Sequence, residues 1–347
     1  MWKTSRQTLI KPFAMSKLII SDFTTYRGEQ RTVELSYSCV GPEDAPVVLV
    51  CHALTGNSDV VGPNGWWARL IGPGEAIDSR CYRILAFDIP GNGYGSTPEL
   101  ENPETFDLRD VARLCILGLE QLGISHLYAL IGASMGGAIA WQIAALCPHL
   151  AEHLFPVCTD YCASDWLLAQ TLVQENILRS SPTPLHDARI HAMLTYRTPE
   201  SIIARFGRRK VDGSNDCYAS IDWLDYHGRA LEERFLLSAY RVMTFLTRTI
   251  QVAESVEELR AITAEIHIVS VDSDLLFPHF RAKETALRLR SQGQTATFHT
   301  IHSIHGHDAF LMEYAQLSQI IAPYFSEHTP DYGTSLHSEP HLLTADL

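Results

Sequence analysis

Short apolar runs alternate with longer amphipathic ones along the first half of the chain. VVLVCH (47–52), YRILAFD (82–88), HLYALIG (126–132) and HLFPV (153–157) are too short for helices and rich in β-branched and aromatic residues, so each predicts a buried strand. Between the second and third, FDLRDVARLCILGLEQLGI repeats its apolar residues at helical spacing. A β-α-β-α order predicts a parallel sheet covered on both faces. From about 160 to 255 the strand signal stops and the sequence becomes helical, polar and aromatic; EIHIVSV (265–271) and TATFHTI (295–301) then resume the strands. The expected architecture is an α/β core over 17–159 and 256–326 with a helical lid inserted over 160–255, closed by a helical run over 308–325.

Composition narrows the class. With 347 residues and 46% hydrophobic content the chain can bury a large core, and a formal charge of −13 argues against general binding to nucleic acid or anionic membrane. No apolar run approaches the length of a membrane span. Eight cysteines lie in apolar segments without a C-x-x-C pair, which predicts buried free thiols and a reducing, cytoplasmic setting. Residues 1–16 read as a loose extension without the features of a signal peptide, with Met15 as a second possible start. Residues 327–347, rich in Pro, Ser, His and Thr, read as a mobile tail.

The chemistry is concentrated where strands end. Gly132-Ala133-Ser134-Met135-Gly136 fits G-x-S-x-G between a strand and a helix, the sharp turn that lifts a serine nucleophile above a sheet. A serine hydroxyl needs a base and a group that orients the base, and in the α/β-hydrolase fold these follow as acid then histidine, each after a strand. DSDLLFP after one strand offers Asp272 and Asp274; HSIHGHDAF after the next offers His302, His305 and His307. Asp274 lies further into its loop and His307 sits just before the final helical run, so these two are chosen with Ser134. The histidines could instead ligate zinc, but they lack a helical H-E-x-x-H and an obvious remote partner, and no metal is expected. The fold places one oxyanion N–H on the residue after the nucleophile, Met135, and one on the loop after an early strand, Leu54 in VCHALTG.

Several fragments together resemble the homoserine O-acyltransferase family: HALTG (52–56), GWWARLIGPGEAID (65–78), YGST (94–97), SMGG (134–137), ARIHAMLTYRTPESIIARFGR (188–208), SDLLFP (273–278) and GHDAFL (306–311). The resemblance spans most of residues 30–325 and implies an α/β-hydrolase fold, a mostly parallel central sheet with helices on both faces and an inserted helical lid. It implies a triad of Ser134, Asp274 and His307, with Arg189, Asp308 and Tyr196 binding substrate. It further implies acyl transfer from an acyl-CoA, most simply acetyl-CoA, to the hydroxyl of L-homoserine in methionine synthesis. Acyl-CoA would be a co-substrate, with no bound cofactor, and members often pair through the lid as homodimers. The chain departs from the family's usual pattern in GASMGG and in DIPGNGYGST, which looks more like a general hydrolase loop. An ester or thioester hydrolase with the same triad, or transfer to a related acceptor such as serine, is the alternative. The basic run Arg205–Lys210 reads either as a grip on the phosphates of CoA or as a solvated helix end.

Overall fold

The computed structural model describes residues 15–95, 97–211 and 216–326. Of the loose extension expected over 1–16 only Met15 and Ser16 are described, and Ser16 already opens the first strand; the rest of it and the tail from 327 lie outside the described residues.

Ten strands and nine α-helices follow one another among the described residues: β1 (Ser16–Thr24), β2 (Gln30–Val40), β3 (Val47–Cys51), β4 (Ile71–Gly72), β5 (Ile77–Asp78), β6 (Arg83–Phe87), α1 (Leu108–Gln121), β7 (Leu127–Ala133), α2 (Met135–Leu146), β8 (Ala151–Val157), α3 (Asp165–Ser180), α4 (Pro184–Tyr196), α5 (Pro199–Phe206), α6 (Ala219–Glu232), α7 (Leu237–Arg248), β9 (Glu265–Val271), α8 (His279–Ser291), β10 (Ala296–Ile301) and α9 (Tyr314–Ile321). Eight of the strands form one sheet in the order β1-β2-β6-β3-β7-β8-β9-β10. Its six strands from β6 to β10 are parallel, while β1 pairs antiparallel with β2 and β2 with β6. Period-two alternation divides the core between the two faces: Leu49, Leu85, Leu130 and Leu154 meet α1 and α2, and Val50, Ile84, Ile131 and Phe155 meet the 60–82 loop and α9.

Three features escape the hydropathy pattern. In β1 Ile20 and Phe23 are buried, but a bulge between them, with Asp22 at φ 54°, breaks the alternation. In β2 the buried set includes Ser36 and Ser38 beside Val33 and Leu35, so no apolar run forms. Helix α8 buries mainly small residues, Ala282, Thr285 and Ala286, along with Leu289. The single helical run expected over 308–325 is broken. A 3-10 helix over Gly306–Leu311 closes when the Met312 and Glu313 amides both turn back to the Ala309 carbonyl, and α9 starts afresh.

Helices α3 to α7 fill the stretch from Asp165 to Arg248. Ser164 and Thr198 cap α3 and α5 by accepting from the amides of Leu167 and Ser201, and prolines at 184 and 199 start α4 and α5. The chain enters and leaves this helical region through a narrow neck. There Ala163 N–H donates to Ile250 O and Val252 N–H to Tyr161 O, and Asp160 beside it accepts from Arg281 of α8 at 2.6 Å.

All eight cysteines are free, but only Cys51, Cys115 and Cys158 are buried, and Cys39 is exposed. No described helix is long and apolar enough to cross a membrane.

The last described turn closes one face of the sheet. Phe325, 1% exposed, packs against Tyr82, Tyr128 and Phe155, and its carbonyl accepts from the Tyr82 hydroxyl at 3.0 Å. Phe325→Ala should therefore cost about 3–5 kcal/mol of stability through the cavity it leaves. Urea unfolding would register this as a lower midpoint at unchanged slope.

Candidate active site

The turn from β7 into α2 is held by close contacts that allow no side chain. A Cβ on Gly132 would lie 2.3 Å from the Gly136 carbonyl oxygen, and one on Gly136 would lie 2.1 Å from that of Cys51. The glycines thus let α2 begin directly against β7 and the end of β3. Ser134, between them, takes φ 56° and ψ −126°, a conformation L-residues rarely adopt. Its N–H donates to Val157 O at 2.9 Å, and its carbonyl accepts from Gly137 and Ala138 to open the helix.

Ser134 Oγ lies 2.9 Å from His307 Nε2, and His307 Nδ1 lies 2.7 Å from Asp274 Oδ2. The second carboxylate oxygen, Oδ1, accepts the amides of Leu276 and Phe277 at 2.8 and 2.9 Å, which fixes the carboxylate in plane. All three side chains are buried, and Phe277 and Phe310 flank the imidazole. The neighbouring candidates are engaged elsewhere. His302 Nδ1 meets Asp272 Oδ2 at 2.9 Å in an exposed pair, and His305 Nδ1 meets Ser201 Oγ at 2.9 Å and Arg197 Nη2 at 3.1 Å, tying the loop to α5. The three histidines therefore face different partners and do not converge as a ligand set.

Neither the Leu54 nor the Met135 N–H makes a backbone hydrogen bond among the described residues. The direction of the Leu54 N–H is set by a residue the sequence reading passed over. His52 Nε2 accepts from the Ile89 amide at 3.1 Å, so the ring proton is on Nδ1, which donates to Ala53 O at 2.8 Å. Gly56 N–H donates to the same carbonyl. With Ala53 C=O held on that side, the planar trans peptide turns the Leu54 N–H to the other. Burial pushes the His52 pKa down, in keeping with a neutral ring. The signal was present, since His52 opens HALTG, but only the Ile89 contact reveals its use.

Arg189 of α4 lies over the Tyr196 ring, 5.6 Å from guanidinium carbon to centroid, and the Tyr196 ring is 5.7 Å from that of His307. Asp308 follows His307 in the chain. Burial raises its carboxyl above the usual carboxylate range, while Arg189, His307 and Arg197 pull the other way. Tyr196 thus lies against the buried imidazole with Arg189 over its ring, and Asp308 follows His307 directly in the chain. Beside them, Leu54, Tyr196, Tyr240 and Leu276 line a small cavity of about 40 Å³ between the helical region and the core. Gln170 and Gln174 of α3 also reach it, and their buried side-chain carbonyl oxygens have no protein partner. In the basic run, Arg205 lies against Phe206 and Trp223, and Arg208 and Lys210 against Tyr218.

The alpha/beta hydrolase fold family matches residues 46–183, which include the serine turn. A homoserine O-acetyltransferase from Methanocorpusculum labreanum is 32% identical over 341 residues, covering 86% of this chain and 69% of that protein. Another, from Moorella thermoacetica, is 30% identical over 346 residues, covering 86% of this chain and 92% of that one. The chain belongs to the homoserine O-acetyltransferase family. The crystal structure of the homoserine O-acetyltransferase from Bacillus anthracis superposes with a TM-score of 0.81 at 22% identity, over 90% of this chain and 98% of that one. The protein is therefore an enzyme of α/β-hydrolase fold, as the resemblance implied.

If the buried acid orients the base, Asp274→Asn should slow hydrolysis of an activated ester such as p-nitrophenyl acetate by about 10⁴-fold, while Asp272→Asn stays within about twofold. Equal losses in the two variants would separate the imidazole's function from Asp274.

Proposed function

We propose that the protein transfers the acyl group of an acyl-CoA, acetyl-CoA, to the side-chain hydroxyl of L-homoserine through a serine acyl-enzyme. The observation that carries this reading is the buried Ser134–His307–Asp274 chain with Arg189 and Asp308 beside its base, in a family whose members bear that activity's name. His307 Nε2 takes the Ser134 proton as Oγ attacks the thioester carbonyl. The N–H groups of Leu54 and Met135 receive the oxyanion, and the leaving CoA thiolate takes the proton back from His307. Asp274 holds the imidazolium between the steps. In the second half-reaction His307 removes the proton of the homoserine hydroxyl, which attacks the acyl carbon and releases Ser134 with that proton returned.

The acceptor is a zwitterion, and this site offers a group for each charge. Arg189 suits the carboxylate, which a guanidinium grips through two parallel hydrogen bonds. Asp308 suits the ammonium, whose arrival would relieve the desolvation that raises its carboxyl. Tyr196, between Arg189 and His307, closes the volume around the hydroxyl. The lid helices exclude water, the competing acceptor. In this reading the product feeds methionine synthesis in the cytoplasm, and the lid is the surface through which two copies would pair.

The reading is tested by thiol release from acetyl-CoA with and without homoserine. Release should depend on homoserine, with O-acetylhomoserine as product by mass spectrometry; equal release without it would make the enzyme a thioester hydrolase. Brief incubation with acetyl-CoA alone should add one acetyl mass to the peptide carrying Ser134 and none in Ser134→Ala. Arg189→Ala should lower kcat/KM for homoserine on the order of 100-fold, the roughly 3 kcal/mol of a lost charged contact, and leave acylation of Ser134 nearly unchanged. A matching loss in acylation would move Arg189 from the acceptor site to the donor site or the scaffold.

A further inference from the structure

The N-terminal ends of β8 and β9 carry a cluster that the acyl-transfer reading does not use. His153 and Glu265 are directly paired across the two parallel strands, and His267 follows Glu265 by two positions, so all three side chains leave one face of the sheet. His153 Nδ1 and His267 Nε2 are 3.1 Å apart, and Glu265 Oε2 is 3.7 Å from the first and 3.9 Å from the second. A point equidistant from these three atoms is about 2.1 Å from each, the length of a zinc bond to imidazole or carboxylate. The triangle is slightly wider on the Glu265 side than a tetrahedral site requires. Glu265, about half exposed, is the ligand able to close it.

The surroundings orient the donors. Thr297 Oγ of β10 lies 2.9 Å from both His299 Nε2 and His267 Nδ1; with its hydroxyl donated to His299 it receives the Nδ1–H of His267, which leaves the Nε2 lone pair for the cluster. The Tyr324 ring, tilted by 39°, covers the His267 ring at 3.9 Å between centroids, and His267 is 1% exposed. On the open side a cleft lined by Tyr128, Glu152 and Pro323 reaches the cluster from solvent, giving an ion a path in and room for a water ligand.

We propose that His153, Glu265 and His267 bind one divalent transition-metal ion of the zinc class, with water in the fourth position. Two imidazoles and a carboxylate are a borderline donor set that suits Zn²⁺ over Mg²⁺ or Ca²⁺. The site is separate from the catalytic one. His153 pairs with Ala129 of β7, four residues before Ala133, so it lies about 13 Å down the sheet from the serine turn. The ion fastens the starts of β8 and β9 together and takes no part in acyl transfer.

The test uses the full chain, stripped with chelator and titrated with Zn²⁺ alone by calorimetry and with Co²⁺ alone by visible absorption. One ion per chain with micromolar or tighter affinity is expected, with cobalt bands of four-coordinate intensity and a raised Tm on loading. Glu265→Gln, at an exposed position that keeps the fold, should weaken binding at least tenfold, and Thr297→Val, which leaves all three ligands in place, by about tenfold. Turnover on p-nitrophenyl acetate should be the same with and without the ion. Absence of stoichiometric uptake would make the two imidazoles a simple hydrogen-bonded pair and overturn the proposal. Uptake that Glu265→Gln leaves within twofold would place the ion elsewhere and overturn it as well.

Discussion

The contact between Gly136 and the Cys51 carbonyl is the constraint on which the rest of the site depends. Because nothing larger than hydrogen fits there, the first turn of α2 is pinned to the end of β3, and two segments far apart in the chain are locked at one point. The N–H of Met135 belongs to the first segment and that of Leu54 to the loop following the second. Their relative position is therefore fixed by backbone packing, without any flexible side chain. The strained Ser134 conformation, of order 1–3 kcal/mol for such a residue, persists because the hydrogen bonds on either side of it overdetermine the turn.

Behind this contact lies a buried polar network built largely by one loop. The loop DIPGN supplies Asp88, Ile89 and Asn92. Asp88 accepts from Ser58 N, Ser58 Oγ and Asn92 Nδ2, and the Ile89 amide and Asn92 both reach His52 Nε2. His52 in turn holds the Ala53 carbonyl. An unpartnered polar group at this depth would cost about 1–3 kcal/mol, so the members of the network fix one another's positions and, through His52, the Leu54 peptide. A loop that looks generic along the chain thus orients a specific N–H.

What could be read from the sequence followed the strength of the local signal. Continuous apolar runs marked the inner parallel strands, and the glycine spacing around Ser134 marked the sharp turn. β1 and β2 were not marked, because an outer antiparallel pair with a bulge and buried serines carries no apolar run. Choosing Asp274 over Asp272 and His307 over its neighbours rested on loop position and on the family resemblance that agreed with it. The structure adds the physical difference, since Asp272 and His302 pair with each other at the surface while Asp274 and His307 meet in the interior. The role of His52 could not be read at all, because its partner Ile89 is 37 residues away.

The charges around Asp308 bear on how an enzyme with this fold would favour an amino acid over water. Asp308 faces two guanidinium groups, Arg189 and Arg197, and the nearby His227 is pushed down to about 4 by burial together with Arg189, Arg205, Arg197 and Arg234. His227 therefore stays neutral near pH 7, and it adds no positive charge of its own. Under the proposed function, the arginines outnumber the carboxylate, so in a medium of low polarity the site would favour a ligand that brings in a carboxylate, with Asp308 serving an ammonium on the same molecule. A neutral alcohol or a simple amine satisfies only part of this arrangement. Water satisfies none of it, yet needs no binding site to attack an acyl-serine. Under the proposed function, charge pairing can select the acceptor but cannot by itself suppress hydrolysis. That task falls to the lid helices, which is where a hydrolase and a transferase built on the same serine turn would differ.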